Sequence, residues 1–153
     1  MNKISDLVEV HVFRIIDTRM ETLILKRSIN GIYPGIWQMV TGRIEKGEMA
    51  FESAIREVKE ETNLVIEKLW VVPKVNSFYS EKDDSIHQIP VFAIKAKSNS
   101  NVQLSSKHSN YKWVDYKEAC NAFAWKDQKD ALKMLVDYYI NKKEYLDLLE
   151  ITF

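Results

Sequence analysis

Residues 42–64, GRIEKGEMAFESAIREVKEETNL, hold the most distinctive pattern in the sequence. Residues 50–62 contain no Gly or Pro and are rich in helix formers, which predicts a helix. Asn63 follows where a residue in the left-handed conformation often ends a helix. On such a helix Glu57, Glu60 and Glu61 fall within an arc of about 100°. The segment therefore predicts a helix with three carboxylates on one face.

A divalent cation would explain this carboxylate cluster. Like charges at three- and four-residue spacing repel one another and weaken a helix. Oxygen-only ligands suit hard cations such as Mg²⁺ or Mn²⁺, which also bind substrate phosphates. Arg56 could hold one glutamate in position through a charge-assisted hydrogen bond. The alternative is a solvated charged helix face with no ligand, and the helix taken alone favours that alternative.

The composition limits the class of protein. At 153 residues the chain is expected to form one domain, residues 1–153. Its 22 basic and 22 acidic residues balance, which argues against a nucleic-acid or anionic-membrane binder. Cys120 is the only cysteine, and no apolar run has the length of a membrane span or signal segment, so we expect a cytoplasmic protein.

All four glycines lie between Gly31 and Gly47, which marks residues 28–47 as an irregular passage and a candidate site. Around it, apolar runs predict strands and helical spacing predicts further helices. The predicted strands are residues 8–16 and 22–26 as a hairpin, 37–40, 64–75, 86–97 and 111–114, and the further helices are residues 116–123 and 127–139. Because strands and helices do not alternate regularly, we expect an α+β or sandwich fold.

Read as a whole, residues 42–64 resemble the Nudix box, Gly-x5-Glu-x7-Arg-Glu-aliphatic-x-Glu-Glu-x-Gly-aliphatic. The first glycine of that motif is matched by Gly42. Every charged position is matched as well, by Glu48, Arg56, Glu57, Glu60 and Glu61. The single departure is Asn63 in place of glycine, and asparagine is the non-glycine residue that best tolerates a left-handed conformation. Six fixed positions at set spacings make the match specific.

The resemblance implies an α/β/α sandwich with a mixed sheet, in which a loop, helix and loop hold a divalent metal against a diphosphate. By resemblance, Glu57 and Glu61 are the principal metal ligands, with Glu60 and the Gly42 carbonyl assisting. Glu48 and Arg56 are then supporting residues of the catalytic set. The general base could be Glu60, Glu57 or a carboxylate in residues 81–84.

The flanking sequence narrows the substrate class. Residues 37–42 (WQMVTG), 25–27 (LKR) and 108–113 (HSNYKW) resemble the pyrophosphohydrolases of dATP and dihydroneopterin triphosphate. In that group a glutamate that acts as an extra metal ligand usually precedes the histidine, whereas this chain has Lys107. The difference could shift that role to Glu60 or to residues 81–84, or indicate another substrate.

Six residues are candidates for substrate binding. By resemblance Arg27 contacts phosphate, Thr41 lies beside the diphosphate and His108 approaches the substrate; the alternatives are a solvated strand-end charge, a plain strand residue and a histidine bonded to backbone. Trp37, Phe78 and Tyr79 could stack on a base or pterin ring, although such aromatics also serve as core. Trp70 and Trp125 are expected in the core.

These features predict a Mg²⁺-dependent pyrophosphohydrolase, with Mn²⁺ as a possible substitute, that cleaves a nucleoside triphosphate or pterin triphosphate to the monophosphate and pyrophosphate. Hydrolysis of a dinucleoside polyphosphate or a nucleoside diphosphate derivative is the alternative reaction. A Nudix module that senses a nucleotide without hydrolysis is the alternative class, and the complete set of glutamates argues against it. The expected partner is a small molecule, with no nucleic acid and no membrane, and both a monomer and a homodimer stay open.

Overall fold

An alternating apolar run near the N-terminus forms the central strand of a nine-stranded mixed sheet. The computed structural model describes all 153 residues. The strands are β1 (Asn2–Ile4), β2 (Leu7–Ile16), β3 (Arg19–Arg27), β4 (Trp37–Gln38), β5 (Val40–Arg43), β6 (Ile66–Ser80), β7 (Ser85–Ala96), β8 (His108–Val114) and β9 (Glu150–Ile151). The helices are α1 (Ala50–Thr62), α2 (Tyr116–Ala122), α3 (Lys126–Asn141) and α4 (Lys143–Asp147).

The sheet runs in the order β4, β3, β2, β7, β6, β9, with β5 also paired to β2, β8 to β3 and β1 to β7. Strand β7 is parallel to β1 and β2, and every other pairing is antiparallel. The mixed sheet with its helices confirms the α+β class and the predicted sandwich. No helix has both the length and the apolar character needed to cross a bilayer.

Helices cover both faces of the sheet. Because successive side chains of a strand point to opposite sides, each strand contributes residues to the core on either face. In β7, Val91 and Ala93 belong to the core shared with α2 and α3, whereas Phe92 and Ile94 belong to the core shared with α1. Each face therefore has its own apolar core, and the sheet separates the two.

The elements with strong local signals match their predictions. The hairpin of β2 and β3 turns at Asp17, whose φ is 57°. Helix α1 has the predicted bounds, and Asn63 ends it with φ 58° and ψ 20°, the left-handed conformation. Trp70 is completely buried, as expected.

Other expectations need correction. The strand predicted at residues 37–40 is divided into β4 and β5 at Met39, and β6 continues five residues beyond the predicted end. Strands β1 and β9 and helix α4 were not predicted. The core assignment of Trp125 is wrong: the side chain is 48% exposed and meets Tyr33 edge-on at 5.7 Å between ring centroids.

Candidate metal and active site

Gly42 and Glu57 meet where α1 crosses the edge formed by β5. Strand β5 pairs with β2, which sets Gly42 opposite Val8. A Cβ atom added to Gly42 would lie 2.2 Å from both Cγ and Cδ of Glu57, closer than any real contact. The position therefore requires glycine, because only the missing side chain lets the Glu57 carboxylate lie over the strand.

Arg56 organises the acidic residues at this end of the molecule. Its guanidinium donates two hydrogen bonds to Glu48, from Nε to Oε2 at 2.8 Å and from Nη2 to Oε1 at 3.0 Å. It also donates to Glu57 Oε1 at 2.8 Å, to Glu60 Oε2 at 3.2 Å and to the backbone carbonyl of Arg43 at 2.8 Å. A planar donor shared in this way joins the loop before α1 to the helix.

Glu48 is fixed from two directions. Besides the pair of bonds from Arg56, its Oε1 accepts the backbone N–H of Glu45 at 3.0 Å. The hydrogen bond from Arg56, followed by the one from Glu45, lowers the pKa of Glu48 to about 2. Glu48 is therefore a permanent carboxylate whose partners are protein groups.

Glu57 and Glu61 form a buried carboxylate pair, with 3% and 1% of their surfaces exposed. Both oxygens of Glu61 and the Oε2 atom of Glu57 lack a hydrogen-bond donor. Burial, and then the neighbouring Glu57, raise the pKa of Glu61 to about 9. Burial opposes ionisation of Glu57 as well, but Glu61, Arg56 and Lys107 together hold its pKa below the ordinary value.

Glu60 does not share the buried position of this pair. Its side chain is 57% exposed and its contact is with Arg56. The side chains of residues 60 and 61 point about 100° apart on a helix. That of Glu61 points toward the sheet, whereas that of Glu60 points toward solvent. Glu60 therefore lies outside the buried pair, although Arg56 Nη1 donates to both Glu57 and Glu60, and the part of Glu60 in a shared binding face stays a prediction. No group of three His, Cys, Asp or Glu side chains is arranged to hold a metal ion.

His108 lies beside the carboxylate pair, and its side chain is only 1% exposed. Its Nδ1 atom is 3.5 Å from Glu61 Oε1, and its Nε2 atom is 3.3 Å from Nε2 of Gln38. Burial, then the charges of Arg27 and Lys107, lower the pKa of His108 to about 4, so the ring is neutral at pH 7. The alternative of a histidine bonded to backbone does not describe this side chain.

Two basic residues complete the surroundings of the pair. Arg27 ends β3, its charge also lowers the pKa of Glu61, and its Nε atom is buried without a partner. The Lys107 ammonium lies 3.5 Å from Glu57 Oε2. Both residues face the acidic pair, so the site is surrounded by positive charge that an anionic substrate can meet.

Thr41 and Trp37 are on the opposite side of the sheet from Gly42. Thr41 pairs across strands with Glu9, and because neighbouring residues alternate, it points away from Glu57. Trp37 packs against the core beneath α2 and α3, with the Lys112 ammonium 5.0 Å above its ring. Their substrate contacts stay predictions.

Phe78 and Tyr79 occupy the far end of the hairpin formed by β6 and β7. Phe78 is 45% exposed and stacks on His87 at 4.8 Å, and the Tyr79 hydroxyl donates to Asp84 at 2.8 Å. These contacts are within the hairpin, and none of them reaches Glu57 or Glu61. Base stacking by either residue stays a prediction.

Sequence reasoning missed two neighbours of the carboxylate pair. Gln38 is part of the flanking motif at residues 37–42 but was given no role, and the pairing of β4 with β3 brings it to His108. Lys107 was noticed as the replacement of a glutamate, but its contact with Glu57 was not anticipated. Its position one residue before a histidine of the flanking motif was the available signal.

The donor chemistry fits a hard divalent cation. Glu57 and Glu61 present three buried carboxylate oxygens without protein donors, and a cation would satisfy them. The Gly42 carbonyl belongs to the same edge, and the Arg56 clamp fixes one ligand in place. The arrangement suits chemistry on an anionic substrate, because the basic side chains of Arg27 and Lys107 lie beside the buried carboxylates.

Comparison with known proteins identifies the family of the chain. The family profile described as NUDIX domain matches residues 6–137. A bis(5'-nucleosyl)-tetraphosphatase [asymmetrical] of Caenorhabditis elegans is 30% identical over 110 residues, which cover 71% of this chain and 77% of the relative.

Two solved structures share the fold. The C. elegans Ap4A hydrolase in a binary complex superposes with a TM-score of 0.75 at 22% identity, covering 91% of this chain and 98% of that one. The E. coli dihydroneopterin triphosphate pyrophosphohydrolase gives a TM-score of 0.70 at 23% identity, covering 87% and 97%. With the profile match over most of its length, the chain belongs to the Nudix family of hydrolases.

Proposed function

We propose that this protein is a Mg²⁺-dependent pyrophosphohydrolase that cleaves a phosphoanhydride bond in a nucleotide polyphosphate. The observation that carries the proposal is the Glu57 and Glu61 pair, which is buried over Gly42 with three oxygens lacking donors. Such oxygens are costly to bury unless a cation completes their coordination. Mn²⁺ is the expected substitute for Mg²⁺ because it prefers the same oxygen ligands.

The residues divide into ligands and supports. Glu57 and Glu61 would hold the metal, with the Gly42 carbonyl and Glu60 assisting from the edge of the site. When bound, the metal would withdraw charge from phosphate oxygens and lower the pKa of water. Arg56 and Glu48 position Glu57, while Arg27 and His108 line the side that faces the phosphates.

Glu60 is the general base that we propose. Its carboxylate is exposed to solvent one helical turn from Glu57, so it can accept a proton from water. Glu57 and Glu81 stay alternative bases, whereas in the turn after β6 Asp84 accepts from Tyr79 and Asp83 accepts from Ser85. Their carboxylates serve the hairpin.

Relatives and flanking motifs support two substrate classes. The sequence relative of C. elegans acts on bis(5'-nucleosyl) tetraphosphates, which favours that class as the first substrate. The flanking motifs and the fold of the E. coli enzyme support dATP or dihydroneopterin triphosphate as the second. Both classes present adjacent phosphates to the same carboxylate pair.

The deciding experiment is hydrolysis of a substrate panel by the purified protein with Mg²⁺. The panel contains diadenosine tetraphosphate, dATP, dihydroneopterin triphosphate and ADP-ribose, with products separated by chromatography. We expect Glu57→Gln and Glu61→Gln to lower kcat by about 10³-fold, because removing a metal ligand sacrifices several kcal/mol of charge stabilisation. Glu67→Gln, an exposed change of the same kind on β6, is the control.

Wild-type hydrolysis that survives Glu57→Gln would overturn the assignment of the site. A protein that binds these nucleotides with Mg²⁺ but hydrolyses none of them would instead be a sensor. Release of a mononucleotide and a nucleoside triphosphate from diadenosine tetraphosphate would select the first substrate class. Pyrophosphate release from dATP or dihydroneopterin triphosphate alone would select the second.

A further inference from the structure

Lys107 is the basic residue in direct contact with Oε2 of Glu57, the oxygen of this proposed metal ligand that accepts no hydrogen bond from the protein. Its ammonium lies 3.5 Å from Glu57 Oε2, which has no hydrogen-bond donor, whereas Oε1 of the same carboxylate accepts from Arg56. The Lys107 side chain is 58% exposed and that of Glu57 is 4% exposed. One buried carboxylate is thus paired with one fixed cation and one solvent-exposed cation.

The two cations differ in how firmly they are held. Arg56 also donates to Glu48, Glu60 and the Arg43 carbonyl, so moving it would break several bonds. The Lys107 ammonium has Glu57 as its single acidic partner, while its backbone carbonyl is held by the N–H of Ser28 at 3.0 Å. The backbone at Lys107 is anchored, and the long side chain is free to swing.

A divalent cation on Glu57 would compete with this ammonium. Oε2 is the Glu57 oxygen that Arg56 does not use, so metal and lysine require the same atom. Two positive charges at such a separation repel, and the repulsion is stronger beside a buried group than in water. The ammonium therefore has to leave when the metal arrives, and a phosphate of the bound substrate would supply a new anionic partner for it.

We propose that Lys107 is a mobile counter-ion: it neutralises Glu57 before metal binds, and then turns outward to bind a terminal phosphate of the polyphosphate substrate. The inference rests on the proposed function, because it needs a metal on Glu57. It assigns Lys107 two opposite effects, weakening metal binding and strengthening substrate binding. A lysine that only supports the fold would have neither.

The test uses Lys107→Met, which keeps the apolar stem and removes the charge. Mn²⁺ affinity is measured by calorimetry without substrate, and KM and kcat are measured separately with the hydrolysed substrate. We expect Mn²⁺ to bind about fivefold more tightly and KM to rise about fivefold, in line with loss of one partly exposed charge contact. Lys107→Arg should restore both values toward those of the wild type.

Lys59→Met is the matched control, because Lys59 is an exposed lysine on α1 and the substitution changes the net charge equally. It should alter neither quantity by more than about twofold. If Mn²⁺ binds wild type and is lost in Glu57→Gln, but Lys107→Met changes neither affinity nor KM, the counter-ion role is overturned and the metal site stands. If Mn²⁺ binding does not depend on Glu57 at all, the proposed function fails first.

Discussion

Glu61 and Glu9 are both buried glutamates, one on each side of the sheet, but only one has its oxygens satisfied by the protein. Glu9 accepts from Asn76 Nδ2 at 2.8 Å and from Gln128 Nε2 at 2.6 Å. Glu61 accepts from no donor. Burial raises the pKa of both, and of Glu61 to about 9.

The contrast separates a structural carboxylate from one poised to bind. Donors offset the cost of burying Glu9, so that group ties β2 to β6 and α3. For Glu61 the protein supplies no amide or hydroxyl donor, and a group left in that state is one for which a ligand supplies the missing partner. Burial alone does not distinguish the structural glutamate from the candidate metal ligand, since the exposed fractions of Glu9 and Glu61 are 5% and 1%.

The largest effect should come from closing the space beneath Glu57. In Gly42→Ala the new Cβ would overlap Glu57 Cγ and Cδ, both at 2.2 Å, and expel the carboxylate from its place. We expect a loss of about 10³-fold in hydrolysis, as for removal of the ligand itself, with Mn²⁺ binding lost in calorimetry. Gly31→Ala is the control, because there the nearest atom would be a carbonyl oxygen at an ordinary 3.5 Å. Normal hydrolysis by Gly42→Ala would show that Glu57 is not needed where it lies.

Stability measurements provide a direct test of the contrast between Glu9 and Glu61. In Glu9→Leu the amides of Asn76 and Gln128 lose their acceptors while buried, so we expect a loss of about 2–4 kcal/mol in the free energy of unfolding. Glu61→Leu removes a buried carboxyl to which no amide donates and whose hydrogen-bonded neighbour is the Glu57 carboxyl, so the metal-free protein should lose less than about 1 kcal/mol. Urea unfolding without metal measures both.

Metal binding should show the reverse order, with Mn²⁺ affinity retained in Glu9→Leu and lost in Glu61→Leu. Equal losses of stability in the two variants would mean that the hydrogen bonds of Glu9 do not distinguish it. Loss of Mn²⁺ binding in a folded Glu9→Leu protein would mean that the two sides of the sheet act as one site.

How much the sequence revealed depends on whether a feature is local. The bounds of α1 and the left-handed Asn63 follow from neighbouring residues, and both were predicted. The proximity of Gly42 to Glu57 depends on the register of β5 against β2, which spacing cannot supply; only the resemblance to the Nudix box pointed to it. Spacing also could not tell that Glu60 is exposed while Glu57 and Glu61 are buried, because the depth of α1 against the sheet decides which part of a 100° arc is covered.

The buried polar residues of β2 show a second reason why some features could not be predicted from the sequence. Residues 8–13, VEVHVF, alternate between apolar and polar side chains. That pattern is typical of a strand with one buried and one solvent-exposed face, and it would place Glu9 and His11 on the exposed face. Helices on both faces of the sheet bury them instead, and no local signal reports the second layer. Trp125 is the opposite case. Its large apolar side chain favours burial, but its position immediately before α3 leaves it at the surface.

The last prediction concerns the pH dependence of stability, through His11 beside Glu9 on the same strand. His11 is completely buried with neither ring nitrogen hydrogen bonded, and burial lowers its pKa to about 3. In the unfolded chain the ring takes up a proton near pH 6.5, whereas the folded protein keeps it neutral. Its contribution is therefore fully present above pH 6.5 and is lost as the pH falls toward 3.

Between pH 7 and pH 5 this one residue should cost the wild type about 2 kcal/mol of unfolding free energy. His11→Leu removes the titrating ring, so its stability should fall by about that much less over the same interval, as measured by urea unfolding at each pH. Glu9 works in the opposite direction, because a carboxyl with a raised pKa gains stability on acidification, and both proteins share that term. A pH dependence that is unchanged in His11→Leu would mean that the folded protein admits the proton to His11.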